Sequence, residues 1–215
     1  MAKVQHSNLM DQLSRVGTVS DNLSEEVVTN YNILSPIVAS SELKSNLNQF
    51  IAQISRRVSK KSILANEQLF WKNVVQGTSQ AFQNASGEIF RCCVCRVLDR
   101  LHIPYELDAS RPEVSSESID IVVYPNTYHE FYIELKKSCR ERPGQLISVY
   151  SGNKSAYFVT EGKDLTQKQV NELRKHGIIS VPLVNIPRKR KKVLTNVVTF
   201  QSLIDLMSLY SKPRV

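Results

Sequence analysis

Apolar positions recur at helical spacing through the first half of the chain and at alternating or continuous spacing through the second. Residues before about 40 are polar and weakly patterned, with a short apolar cluster at Tyr31, Ile33, Leu34, Ile37 and Val38, so the pattern assigns no element there. From Ser41 onward, Leu43, Leu47, Phe50, Ile51, Ile54 and Val58 follow one helix face after a Ser-Glu start, which predicts an amphipathic helix. Leu69, Phe70, Val74 and Val75 predict a second helix over about 66–82, with Gly77 as its weak point because glycine is poor in a helix interior. A third is expected to open at Ser86, whose hydroxyl can cap it, and to bury Ile89, Phe90, Cys93, Val94, Val97, Leu98 and Leu101 before stopping ahead of Ile103-Pro104.

Beyond Tyr105-Glu106-Leu107 the period changes to two. The stretches 118–124 and 130–136 read as strands joined through the turn-forming Pro125-Asn126. On the second, alternation puts Phe131, Ile133 and Leu135 on one face and Tyr132, Glu134 and Lys136 on the other. A short helical stretch over 146–150 follows. The chain then reads strand (156–160), helix (about 166–176), Gly177 as a stop, strand (178–184) and a closing amphipathic helix over 200–210. This order predicts an α/β core with a mixed β-sheet flanked by helices, over residues 85–215. An α-helical N-terminal region, residues 1–84, is expected to pack on it.

A chain of 215 residues can bury one sizeable core. Its formal charge of +8 favours an anionic partner, with nucleic acid first, although a merely basic soluble protein would carry the same balance. Three of the four cysteines, Cys92, Cys93 and Cys95, crowd one helical pattern and Cys139 stands apart, which fits a reducing compartment better than a disulfide or zinc framework. The first thirty or so residues lack a long apolar run, so neither a signal peptide nor a membrane span is expected, and the protein should be soluble and intracellular.

The residues with chemistry are Asp120 on the first predicted strand and Glu134 and Lys136 on the second. Carboxylates on neighbouring strands can seat Mg²⁺, a hard cation that takes oxygen ligands, and the Lys136 ammonium can orient an attacking water or offset charge on a phosphate. A solvated strand face carries such pairs too. The run Arg188-Lys189-Arg190-Lys191-Lys192 can touch phosphates or form a solvated loop. Arg140-Glu141-Arg142 is either a charged turn or a base reader: an arginine fork matches guanine O6 and N7, and a glutamate accepts from cytosine N4. His102, His129 and His176 have no partner at nucleophile or zinc-ligand spacing.

Taken together, these residues resemble the PD-(D/E)xK nuclease superfamily, and within it the type II restriction endonucleases. The resemblance runs over residues 86–210. It rests on the helix from Gly87-Glu88-Ile89-Phe90, on Asp120 at the place of the family aspartate, on Glu134-Leu135-Lys136, and on the run from Lys137-Ser138-Cys139-Arg140 to Gln145. Two positions depart from the pattern: Ser118-Ile119 replaces the nominal proline before the aspartate, and Pro143 stands where tryptophan is usual. The resemblance implies Mg²⁺-dependent, sequence-specific hydrolysis of double-stranded DNA. Asp120 and Glu134 would hold the metal, Lys136 would support the attacking water, and the products would carry 5′-phosphate and 3′-hydroxyl ends. Arg140-Glu141-Arg142 resembles the element with which some members read adjacent G·C pairs, as in CCGG or CCNGG. Lys137, Ser138, Arg188, Lys189 and Arg190 would add DNA contacts, and Gln145 would steady the site. Glu88 is either an accessory acid or a first-turn glutamate favoured by the helix dipole; Glu113 is a loop carboxylate. A palindromic target implies a homodimer using the N-terminal helices, a bacterial or archaeal cytoplasm, and a DNA methyltransferase as genetic partner. The rival readings are a repair nuclease or junction resolvase of the same superfamily and a catalytically silent DNA-binding module.

Overall fold

A computed structural model of the chain describes residues 6–55, 71–111, 119–126, 129–137, 146–147, 156–184 and 193–211. The elements are α1 (His6–Val16), α2 (Leu23–Ser55), a π-helical turn (Trp71–Gln76), α3 (Gly77–Arg100), β1 (Tyr105–Ala109), β2 (Ile119–Asn126), β3 (His129–Lys136), β4 (Ala156–Thr160), α4 (Gln167–Lys175), β5 (Ile179–Pro182) and α5 (Phe200–Ser211). They form two compact units, Met1–Gly17 with Asn30–Ile89, and Thr18–Thr29 with Phe90–Val215. Among the described residues no helix is long and apolar enough to cross a membrane.

The helical unit departs most from the sequence expectation. The weakly patterned stretch before residue 40 is helical: α1 buries Leu9 and Leu13, and α2 runs unbroken through Pro36, burying Tyr31, Leu34 and Val38. Helix α2 therefore begins eighteen residues before Ser41. Of the apolar stripe expected on it, Phe50 is buried while Leu43, Leu47 and Ile51 lie exposed, and the side chain of Ile54 and all of Val58 fall outside the described residues. Ser86 is not a cap. It sits inside α3, with its hydroxyl 2.8 Å from that of Tyr31, and the flanking Ala85 is buried. Tertiary contact thus carries the helix past Ser86 and Gly87, whose propensities alone would favour an end there. The weak point at Gly77 is real but differently placed: it separates the π-helical turn from α3, where the Thr78 hydroxyl donates back to the Val74 carbonyl and accepts from Asn46 Nδ2 at 3.0 Å.

The second unit holds a five-stranded sheet in the order β1-β2-β3-β4-β5, mixed and flanked by helices as the sequence predicts. β1, β2 and β3 pair antiparallel; β3, β4 and β5 pair parallel. The parallel half is the more buried, every residue of β4 being inaccessible, which accounts for its continuous apolar run. Helix α4 starts on a capping box at Thr166 and Gln169 and buries Val170 and Leu173. Gly162 connects β4 to α4 with φ +88°, and a Cβ there would meet the Val184 carbonyl oxygen and Pro182 Cβ. The second half of α3 runs antiparallel to β1. Arg91 meets Asp108, and one and two turns later Cys95 and Asp99 reach the Tyr105 hydroxyl, whose titration is pushed up first by burial and then by those neighbours. At the foot of α3, Ile103 N–H bonds to the Leu98 carbonyl and His102 N–H to that of Asp99, with His102 at φ 55°, a left-handed helix stop. Glu26, fully buried, joins residues 18–29 to this unit through Arg100 Nη2 at 2.7 Å.

Candidate active site

Strands β2 and β3 are in register at Ile121 and Ile133, so the next rung brings Asp120 opposite Glu134. The backbone ladder stops there. Instead, the Leu135 N–H donates to Asp120 Oδ2 at 2.8 Å, a side chain substituting for the missing strand partner. One residue on, Lys136 Nζ lies 2.6 Å from Glu134 Oε1 and 3.9 Å from Asp120 Oδ2. The period-two alternation of β3 puts Glu134 and Lys136 on one face, while Ile133 and Leu135 are buried on the other. Two acids and one amine converge where the antiparallel pair ends.

The cluster so formed is graded in exposure: the side chain of Glu134 is 13% accessible, that of Asp120 26% and that of Lys136 47%. Burial pushes the Asp120 carboxyl above its ordinary range; Lys136, the Leu135 N–H and Arg91 pull the other way, and Asp108 adds to the rise. A partly buried carboxylate that is costly to ionise beside a second carboxylate is a donor set suited to a hard divalent cation, whose charge would offset the cost of ionisation.

Of the remaining candidates, Glu88 and Lys137 are among the described residues. Glu88 belongs to the helical unit, where its Oε1 lies 2.8 Å from His6 Nδ1. Lys137 follows β3 directly and its carbonyl accepts from the Thr160 hydroxyl at 3.4 Å. Glu113, Ser138, Arg140, Glu141, Arg142, Gln145, Arg188, Lys189 and Arg190 lie outside the described residues. The sequence reading passed over the charged contacts made by Arg91 and Arg111. Arg91 Nη1 is bonded to Asp108 Oδ1 at 2.6 Å, and Arg111 bridges Glu130 and Glu106. No sequence signal singles out Arg91, because Arg96 interrupts the same apolar helix pattern in the same way.

The fold is similar to that of solved restriction endonucleases. A complex of the restriction endonuclease PspGI with substrate DNA aligns at TM-score 0.65 and 14% identity, covering 96% of this chain and 92% of that one. Metal-depleted Ecl18kI bound to uncleaved DNA aligns at TM-score 0.57 and 13% identity over 98% of this chain and 85% of that one. The complex of Ecl18kI with uncleaved, modified DNA gives the same score and identity over 97% of this chain. No family model matches the sequence. No curated protein matches it either. At such identities the likeness is one of fold.

Proposed function

We propose that this chain is a type II restriction endonuclease that hydrolyses phosphodiesters of double-stranded DNA with a divalent metal, Mg²⁺ by the hardness of its donors. The observation that carries this reading is the convergence of Asp120, Glu134 and Lys136 at the end of the β2–β3 pair, in a fold like that of enzymes solved on DNA. Asp120 and Glu134 would hold the cation. Bound there, a divalent ion supplies Lewis acidity toward a phosphate oxygen. Lys136, the most exposed of the three, is the group to hold the attacking water by hydrogen bond and to offset negative charge growing on the phosphate. The formal charge of +8 supports a polyanionic partner.

Specificity in this reading comes from Arg140-Glu141-Arg142, on a target with adjacent G·C pairs, with Lys137, Ser138, Arg188, Lys189 and Arg190 on the backbone and Gln145 beside the metal. A two-fold symmetric target favours a homodimer, and a methyltransferase gene beside this one would fit the same role. Plasmid digestion with Mg²⁺ tests the whole reading. The wild-type chain is expected to give discrete bands, and Asp120→Ala and Lys136→Ala to lose cutting by at least about a hundredfold, the scale of one catalytic group. Cutting at wild-type rate by either variant would refute the site. Cleavage confined to branched, nicked or damaged DNA would assign a repair or junction nuclease instead, and salt-dependent binding without cutting would assign a silent DNA-binding module.

A further inference from the structure

One charged pair beside the candidate site has no part in holding the cation. β1 and β2 are in register at Leu107 with Ile121 and at Ala109 with Ile119, so Asp108 falls on the same rung as Asp120. Its backbone is left-handed, φ 50°, a conformation aspartate tolerates better than most residues. Its carboxylate takes Arg91 Nη1 from α3 at 2.6 Å. The two ends of this pair differ. The Arg91 side chain is 16% accessible, whereas Asp108 is 60% accessible and faces solvent. The Arg91–Asp108 pair therefore stands at the strand paired directly beside Asp120.

Among the described residues this neighbourhood has three carboxylates, Asp108, Asp120 and Glu134, against two cations, Arg91 and Lys136. Without the cation, a DNA backbone approaching Asp120 would meet an excess of negative charge among these groups, and Asp108, as the most exposed carboxylate, would repel it most. We propose that Arg91 is a phosphate-contacting residue, parked on Asp108 while DNA is absent and transferred to a backbone phosphate beside Asp120 when DNA is bound. A solvent-facing carboxylate holds its arginine less firmly than a phosphate, which offers the guanidinium fork a bidentate seat. Asp108 then serves as a rest that keeps the guanidinium aimed at the site.

This inference rests on the nuclease reading, and duplex binding separates the two. Fluorescence anisotropy of a short mixed-sequence duplex, in EDTA so that no strand is cut, is read against salt for the wild type, Arg91→Gln, Asp108→Asn and the double variant. Arg91→Gln is expected to flatten the plot of log K against log salt by about 0.9, the value of one phosphate contact. Asp108→Asn, which suits a left-handed backbone, is expected to bind several-fold tighter, and that gain should largely vanish in the Arg91→Gln background. A wild-type slope in Arg91→Gln, or an equal gain from Asp108→Asn in both backgrounds, overturns the inference; a lowered melting temperature with unchanged slope assigns the pair to folding alone. Absence of duplex binding by the wild-type chain removes the nuclease reading with it.

Discussion

A carboxylate that accepts from the Leu135 amide and lies 3.9 Å from an ammonium would ordinarily titrate low, yet burial outweighs both at Asp120 and pushes its carboxyl up. The folded chain then binds more protons than the unfolded chain between the ordinary aspartate value and the raised one, so stability falls as pH rises through that window. The stabilisation is complete below the ordinary value and lost above the raised one. In metal-free protein, Asp120→Asn should therefore melt above the wild type near neutral pH, because asparagine keeps the Leu135 bond without the buried charge. The difference should shrink as pH falls to about 4. Unfolding in EDTA across this range checks it; a variant less stable at every pH would show that Asp120 is stabilised by its partners after all. Saturating Mg²⁺ should reverse the order, since a hundredfold excess over Kd adds about 2.7 kcal/mol to whichever chain binds it. At this scale the sequence was informative: the spacing of Glu134 and Lys136 on one strand puts both on one face, and Asp120 lies on the neighbouring predicted strand. Arg91 and Asp108 were not legible, because they meet only through the antiparallel run of α3 along β1, seventeen residues apart in sequence.

Strands β2 to β5 and the last two helices were legible because each carries its own period and punctuation, such as Gly177 at φ 78°. The helical character of the N-terminal region was legible too, but the bounds of its helices were not. Helix α2 takes part of its burial from residues before 40, where the pattern is diluted by Asn, Ser and Thr, and α3 crosses Ser86 and Gly87 on tertiary contact. His102 shows the same limit. It fills the left-handed stop of α3 that glycine usually takes, so the helix end was visible only from Pro104. Gly162 gives a sharper test of an element junction. Gly162→Ala forces a left-handed alanine, worth about 1–2 kcal/mol, and drives Cβ into the Val184 carbonyl where β5 ends. A loss of several degrees in melting temperature is expected, since about 1 kcal/mol moves a chain of this size by roughly 2–4 °C. An unchanged midpoint would mean that the β4–α4 junction yields freely.

On the scale of the whole molecule, the exposed apolar residues of α2 bear on assembly. Ile37, Leu43, Leu47 and Ile51 are exposed on a helix whose Leu34, Val38 and Phe50 are buried. The last three exposed residues recur every four positions, one ridge of a helix surface. If this ridge joins two copies, Leu43→Lys with Leu47→Lys should convert a dimer to a monomer in sedimentation velocity while leaving the far-ultraviolet spectrum intact. A dimer that survives both charges would place the contact elsewhere. The buried thiols of α3 offer a different kind of access to the molecule. Cys92, Cys93 and Cys95 are inaccessible, and burial raises the Cys93 thiol to about 12, so almost none of it is thiolate at neutral pH. A maleimide or disulfide reagent can modify these three only in the moments when the helix lifts from its surroundings. Their labelling times, with Cys139 replaced by serine, would act as a built-in clock for how often the scaffold behind the acids comes apart.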